Sequence, residues 1–318
     1  MALAYIFTIL KNVIYGSSVY FTSTLSHSVD VLDLLALRFL MSFTVLFLLK
    51  TTGILKIRVG VRDMFRPTER HAYVRPLLLA GLFEPLLYMM LETLGITMTT
   101  GITAGVILSL PPVFSSIFEV LILKEHSPAL KKVFLGVGVV GVIYIALNTN
   151  SSAGKDTPLG ILCLVCAVVS GCLYGVFSRK SSAHFSAFEV SYTASILSAT
   201  FFNSVNVIRH LFKGDLLHYF DPYFDVHNLI GFVFLGVGCT VVAASMNNFA
   251  LGRLPVTTTT AFGGISTFVT ITIGCLVGKE RLYGFHLIGL TLILIRMIGV
   301  SWITIRMQKQ KEAGSPAK

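Results

Sequence analysis

The chain has 318 residues, 54% of them hydrophobic and 13% charged, with a mean hydropathy of +0.79 and a formal net charge of +10. A soluble domain carries about 25% charged residues, so this composition excludes a soluble fold and implies an integral membrane protein. The positive charge does not imply nucleic-acid binding, because the basic residues sit in short segments between apolar runs.

A membrane helix needs about 20 mostly apolar residues, and ten runs of that kind follow one another. Their approximate limits are 4–24, 31–50, 75–95, 99–123, 131–148, 158–178, 187–212, 229–250, 255–278 and 284–305. The expected class is therefore an all-α membrane protein with ten transmembrane helices. A barrel is excluded, since its strands are about ten residues long and alternate in polarity.

The first run starts close to Met1, with no basic leader and no small-residue cleavage site, and reads as a membrane helix. Thr8, Lys11, Tyr15, Ser18 and Thr22 recur along it at helical spacing and form one polar stripe. The second run carries Arg38. The third carries Glu84, Tyr88 and Glu92, four apart and expected on one helix face.

The fourth run contains LPPVFSSIFEVLILKE, from Leu110 to Glu125. Pro111 and Pro112 remove two backbone donors, so the carbonyls of Leu108 and its neighbours need other partners, and a kink or hinge is expected there. Glu119 lies nearer the end of this run, where snorkelling or pairing with Lys131 is expected. The fifth run is rich in glycine.

The sixth run repeats the stripe of the first as Ser170, Tyr174 and Ser178. Cys163 and Cys166 in the same run have metal-site spacing but no second pair, and read as packing residues. The seventh run is the weakest, with Asn203 and Asn206. The link after it, HYFDPYFD, holds His218, Asp221 and Asp225; a lid or solvated loop is the expected reading, not a metal site. The eighth run has Cys239, Ala243 and Asn247 where the third has Glu84, Tyr88 and Glu92, with Asn248 beside. Thr257 to Thr260 and Gly263-Gly264 open the ninth, as helix-packing residues. Arg296 lies in the tenth, without an evident role.

Placing the amino terminus in the cytoplasm puts seventeen Lys and Arg residues of the links and tail inside and five outside. That asymmetry predicts both termini in the cytoplasm.

The chain also repeats. Shifted by 155 residues, LPPVFSSIFEVLILKE falls on ISTFVTITIGCLVGKE, so that Lys124-Glu125 lands on Lys279-Glu280. The halves divide as 1–150 and 151–318. Five helices per half is an odd number, so the halves enter the membrane in opposite directions. Inverted repeats of this kind mark transporters whose site lies at mid-membrane between the halves.

The order of motifs resembles the EamA-type drug/metabolite transporter superfamily: YGS in the first run, LALRFL in the second, Gly81 in the third, LPPVF in the fourth, FLGVGVVGVIYIAL in the fifth, and the whole unit repeated. The resemblance covers nearly the whole chain. It implies a cavity built by helices one to four and six to nine, with the fifth and tenth at the periphery. It implies small organic substrates, alternating access and export. Two departures stand out: Tyr15 replaces the tryptophan usual before Gly16, and Ser266 and Thr267 stand in the second half where the first has Pro111 and Pro112.

Away from the ends of the runs lie six charges: Lys11, Arg38, Glu84, Glu92, Glu119 and Arg296. A central charge costs about 2.5–3.5 kcal/mol on insertion scales, so these must pair or face a wet cavity. Lys11 and Arg38 suit an anionic or zwitterionic group, while Glu84 or Glu92 suits a cationic group or carries a coupling proton. Tyr15, Tyr88 and Tyr174 supply hydroxyls and ring faces, and Asn247 an amide. The competing reading makes Lys11–Glu84 and Arg38–Glu92 structural ion pairs.

Taken together, these features predict a secondary transporter of amino-acid-like or similar polar metabolites in a plasma membrane of the bacterial inner-membrane type. No phosphate-binding G-x-x-x-x-G-K-[ST] loop occurs, and no cofactor or metal is expected. Expected partners are the small-molecule substrate, membrane lipids and coupling protons, with the chain a monomer or homodimer. The same fold would also suit a nucleotide-sugar-type exchanger or a lipid or lipid-linked-sugar flippase. An enzyme is disfavoured by the absence of H-E-x-x-H and G-x-S-x-G.

Overall fold

The computed structural model describes residues 2–55, 71–122, 128–149, 156–277 and 284–313. The Lys-Glu pairs at 124–125 and 279–280 and most of the basic second-to-third link lie outside the described residues, as does the Glu119 side chain. All regular structure among the described residues is helical. The elements are α1 (Ala2–Leu25), α2 (Val31–Thr51), α3 (His71–Gly81), α4 (Tyr88–Thr97), α5 (Gly101–Ile107), α6 (Pro111–Ile122), α7 (Ala129–Thr149), α8 (Pro158–Ser181) and α9 (Ala187–Lys213). They continue with α10 (Val226–Val233), α11 (Ala244–Leu251), α12 (Val256–Ala261), α13 (Gly263–Leu276) and α14 (Gly284–Ala313).

Eight stretches among the described residues are long and apolar enough to cross a membrane. Of the ten expected runs, the fifth and seventh form α7 and α9 but stand outside those eight. In α9 the reason is visible: Ser191, Thr193, Ser195, Ser198 and Asn206 are buried along it, so its protein-facing side is polar.

The faces are inverted relative to a soluble protein. On α1, Ile6, Ile9, Leu10 and Val13 are exposed while Thr8, Lys11 and Asn12 are buried. Lipid solvates the apolar side; the polar side must find protein or water.

Capping residues set the helix starts. Asp30 accepts from Leu32 N–H before α2, Thr157 from Gly160 N–H before α8, and Ser186 with Glu189 forms a capping box before α9. Gly214, at φ 73°, ends α9 in the left-handed conformation.

Two long helices are interrupted by π-helical segments, Leu82–Leu87 between α3 and α4 and Phe234–Ala243 between α10 and α11. Two more are broken, α5 from α6 at residues 108–110 and α12 from α13 at Phe262. The first residues of α5 and α12, Gly101 and Val256, are 155 residues apart. The break after α5 is the one the two prolines impose. Val113 N–H turns to Leu110 O (3.0 Å), which leaves Ser109 O free of the helical ladder.

The partner of that carbonyl is Arg296, whose Nη1 donates to Ser109 O at 2.6 Å. Arg296 lies in α14, fully buried, with its aliphatic stem against Gly138 of α7. It has no carboxylate partner among the described residues, and its Nε and Nη2 are unbonded. The tenth run's unexplained charge is thus joined to the proline break of the fourth.

In packing, α1 lies on α13, α11 and the second π-helical segment, while α8 lies on α6, α4 and α3. The remaining large contacts are α2 with α9 and α7 with α14. Glycine permits the closest approach. A Cβ on Gly16 would stand 2.5 Å from Ser266 O and 2.7 Å from Val269 Cβ, and one on Gly105 would stand 2.9 Å from Thr270 Cγ2. Helix association in lipid depends on such contacts, because apolar burial alone gives no advantage there.

Candidate functional site

The polar face of α1 turns inward against α11. There Lys11 Nζ donates to Asn247 Oδ1 at 2.6 Å, and both residues are buried. Around the same space Tyr15 lies one turn along α1, with Lys11 Nζ 5.9 Å from its ring centre. Arg38 of α2 enters from the side, its Nε donating to Thr240 Oγ1 at 3.2 Å. Its two terminal nitrogens have no protein partner among the described residues.

Glu84 sits inside the first π-helical segment with extended backbone, φ −137° and ψ 119°, beside Pro85. The third run is therefore not one regular helix, as its four-residue spacing predicts. Pro85 in the sequence was the signal for this, because proline cannot continue the ladder. Glu84, Tyr88 and Glu92 nevertheless face the same space. Tyr88 OH donates to Glu92 Oε1 at 2.7 Å, and its ring lies against Gly171 of α8, where a Cβ would meet Cδ2 at 3.0 Å. Glu84 makes no hydrogen bond to protein among the described residues.

On the opposite wall, Tyr174 OH and Ser178 Oγ both donate to Asn248 Oδ1, at 2.5 and 2.8 Å, and Asn248 Nδ2 donates to Ser191 Oγ at 2.9 Å. The Tyr174 hydroxyl is thereby engaged, and its ring remains as a wall.

Lys11, Tyr15, Arg38, Glu84, Tyr88, Glu92, Tyr174 and Asn247 line one cavity of about 140 Å³, and Pro111 borders it. A recess of about 30 Å³ continues between Arg38, Glu84 and Cys239. Two cations and two carboxylates thus face one small volume. The ion pairs of the competing reading are not made: among the described residues neither Lys11–Glu84 nor Arg38–Glu92 is in direct contact. Asn247 takes up Lys11 of the first pair, while Thr240 and Tyr88 take up Arg38 Nε and Glu92 of the second.

Several lining residues were not singled out from the sequence as site residues. Asn12 is one; its Nδ2 donates back to Thr8 O at 2.7 Å. Thr270 is another; its Oγ1 donates to Gly16 O at 2.9 Å across the α1–α13 contact. Pairwise proximity across the two halves is what reveals them.

The cavity shares Val19 and Thr270 with a vestibule of about 530 Å³ at the carboxyl-terminal ends of α1 and α4. Toward the amino-terminal end of α1 three contacts join the helices: Tyr5–Phe262, with ring centres 5.9 Å apart, Phe7–Phe249 at 5.1 Å, and Ser115 Oγ to Thr260 Oγ1 at 3.0 Å.

Elsewhere, His218 Nδ1 lies 2.6 Å from Asp221 Oδ2, while Asp225 accepts from the His227 and Asn228 N–H groups as the cap of α10. Among the described residues no group of three His, Cys, Asp or Glu side chains could hold a metal ion, and the cysteines are free.

The EamA-like transporter family matches this chain twice, over residues 2–147 and 158–302. The chain belongs to that family. It is similar to two proteins of Bacillus subtilis (strain 168). One, named Uncharacterized transporter YcxC, is 28% identical over 316 residues, 99% of this chain and 97% of its own. The other, named Uncharacterized transporter YetK, is 23% identical over 314 residues, 98% of this chain and 89% of its own. A solved structure, titled only Crystal structure of protein, superposes with a TM-score of 0.66 at 16% identity, covering 96% of this chain and 99% of that one, and shares the fold. The chain is accordingly an integral membrane transporter of the drug/metabolite class, and not an enzyme.

Proposed function

We propose that this transporter is a secondary carrier of small zwitterionic, amino-acid-like metabolites, working by alternating access between two inverted repeats, 1–150 and 151–318. The observation that carries the reading is the charge arrangement of the 140 Å³ cavity. Lys11 and Glu92 already have protein partners, whereas the Arg38 terminal nitrogens and Glu84 have none among the described residues. A ligand with an acid end and an amine end satisfies both. The four charges balance, so a ligand of no net charge keeps the balance; a singly charged one would leave an uncompensated ion in low dielectric, which is costly. The volume lies below the 300–1,000 Å³ usual for drug-sized ligands, which favours an amino-acid-sized solute over a nucleotide sugar or a lipid.

Three observations support the repeat. The family match is double, a π-helical segment followed by a helix break occurs at a similar place in each half, and the packing partners exchange, with α1 on α13 as α8 is on α6. Ten transmembrane helices with both termini in the cytoplasm follow from that arrangement and the basic residues. The vestibule then faces outward and the aromatic pairs form the inner closure. The break at Pro111 and Pro112 is the hinge, Glu84 is the candidate proton carrier, and export from a bacterial-type inner membrane is the direction.

Purified protein in proteoliposomes, loaded with amino acids, test the proposal by counterflow. Zwitterions should exchange, and matched monoamines and monocarboxylates should not. Glu84→Gln and Arg38→Met should each weaken half-saturation by roughly 10–100-fold, as loss of a hydrogen bond to a charged group predicts. Lys11→Met, which leaves Asn247 unpartnered, should weaken it also. No exchange of any zwitterion across a broad panel, with or without a pH gradient, or unchanged kinetics in all three variants, would remove the proposal.

A further inference from the structure

The link between α9 and α10 is built as an amphipathic unit, although it lies outside the helices that cross the membrane. Two short 3₁₀ turns, Leu216–His218 and Asp221–Tyr223, carry it. Tyr219 and Tyr223, four residues apart, point into the protein. Tyr219 OH donates to Asn203 Oδ1 and Tyr223 OH to Leu37 O, both at 2.6 Å. Their rings pack edge-on against His210 and Phe232, with centres 5.3 and 5.0 Å apart. The base is tied further: Arg209 bridges Asp30 and Asp33, and His210 Nε2 lies 2.8 Å from Asp33 Oδ1. The link is thus held to α2 and α9 by several part-buried polar contacts.

The other side of this anchored unit is apolar and exposed. Leu217 is 95% exposed, Phe212 89% and Phe224 82%, with Phe220 and Val226 beside them. Of the link's polar side chains, His218 and Asp221 meet each other and Asp225 caps α10, while Lys213 is exposed. The two neighbouring helices also carry exposed apolar side chains. Ile208 and Leu211 of α9 and Leu229, Ile230 and Val233 of α10 are exposed in the same way. A rigid polar-backed wedge with three large apolar tips, joined to the lipid belt, has the character of an interfacial membrane element.

We propose that residues 212–226 form a membrane-interface anchor, with Phe212, Leu217 and Phe224 inserted among the lipid chains beside the headgroups, which fixes the outer end of α9 against α2. The partner is the lipid surface itself.

Tryptophan placed at the tips tests this. Trp302 is the only native tryptophan and is changed to Phe. In that background Phe224→Trp and Leu217→Trp are each reconstituted in phosphatidylcholine vesicles, plain or brominated near the headgroup end of the chains. Inserted tips give blue-shifted emission that falls in the brominated vesicles and resists aqueous iodide. Water-like emission quenched by iodide and unaffected by bromine overturns the proposal. Blue-shifted emission unaffected by bromine, together with a dimer on cross-linking, overturns it in favour of contact with a second copy. Trp at Tyr223, facing inward, serves as the control for both quenchers.

Discussion

Gly16→Ala is the sharpest test of the α1–α13 crossing that supports one wall of the cavity. The new Cβ would stand 2.5 Å from Ser266 O and 2.7 Å from Val269 Cβ. Comfortable contact lies at roughly 3.5–4.0 Å, so the helices must part by about 1 Å. The Ser266 oxygen is backbone and cannot rotate away. Overpacking of this kind costs typically about 1–3 kcal/mol, and parting also stretches the bond from Thr270 Oγ1 to Gly16 O, now 2.9 Å. The change has an opposing term, since Ala is a better helix former than Gly by about 1 kcal/mol. Gly136→Ala in α7 isolates that term, because a Cβ there meets nothing within 4 Å. Thermal unfolding of both variants in detergent gives the difference directly. Gly136→Ala should equal or exceed the parent, and Gly16→Ala should fall below Gly136→Ala by about 1–3 kcal/mol. Equal stabilities of the two variants would refute the close crossing.

Asn248→Leu should be more damaging, because it strips the acceptor from the Tyr174 and Ser178 hydroxyls and leaves Ser191 Oγ only its bond from Ser245 Oγ. Each buried polar group left unsatisfied costs about 1–3 kcal/mol, so a loss of several kcal/mol in unfolding is expected, and a midpoint within experimental scatter of the parent would count against the hub. At the amino-terminal end of α2, burial would raise the Asp30 carboxyl, but hydrogen bonds from Arg209 and Leu32 N–H and the nearby positive charges hold it below its ordinary value. A lowered folded-state value means that this contribution is present in full above the unfolded value, about 3.9, and is lost as pH falls through the lowered one. Asp30→Asn should therefore flatten the acid side of the stability–pH curve and leave its slope near neutral pH unchanged; an unaltered acid limb would show that the Arg209 contact does not matter to folding.

The membrane class, the runs that became helices and eight of the residues around the cavity were legible in the sequence. The reason is physical: in an apolar chain a charge or a polar stripe is costly, so Lys11, Arg38, Glu84 and Glu92 could only be kept where water or protein receives them. The recurrence of one pattern 155 residues apart was legible for the same kind of reason, since both copies obey the same lipid. Which polar groups meet was not. Local spacing places Tyr88 over Glu92 but says nothing about Lys11 finding Asn247, 236 positions away, instead of Glu84. Nor could it give Arg296 its role, because the carbonyl it holds is orphaned by prolines in a distant run. The prolines at 111 and 112 announced an unsatisfied backbone; only the packing of α14 across Gly138 decided what would satisfy it. Composition fixes what each residue must avoid, and the tertiary structure selects the partner, because hydrogen bonding acts over about 3 Å between residues the chain keeps far apart.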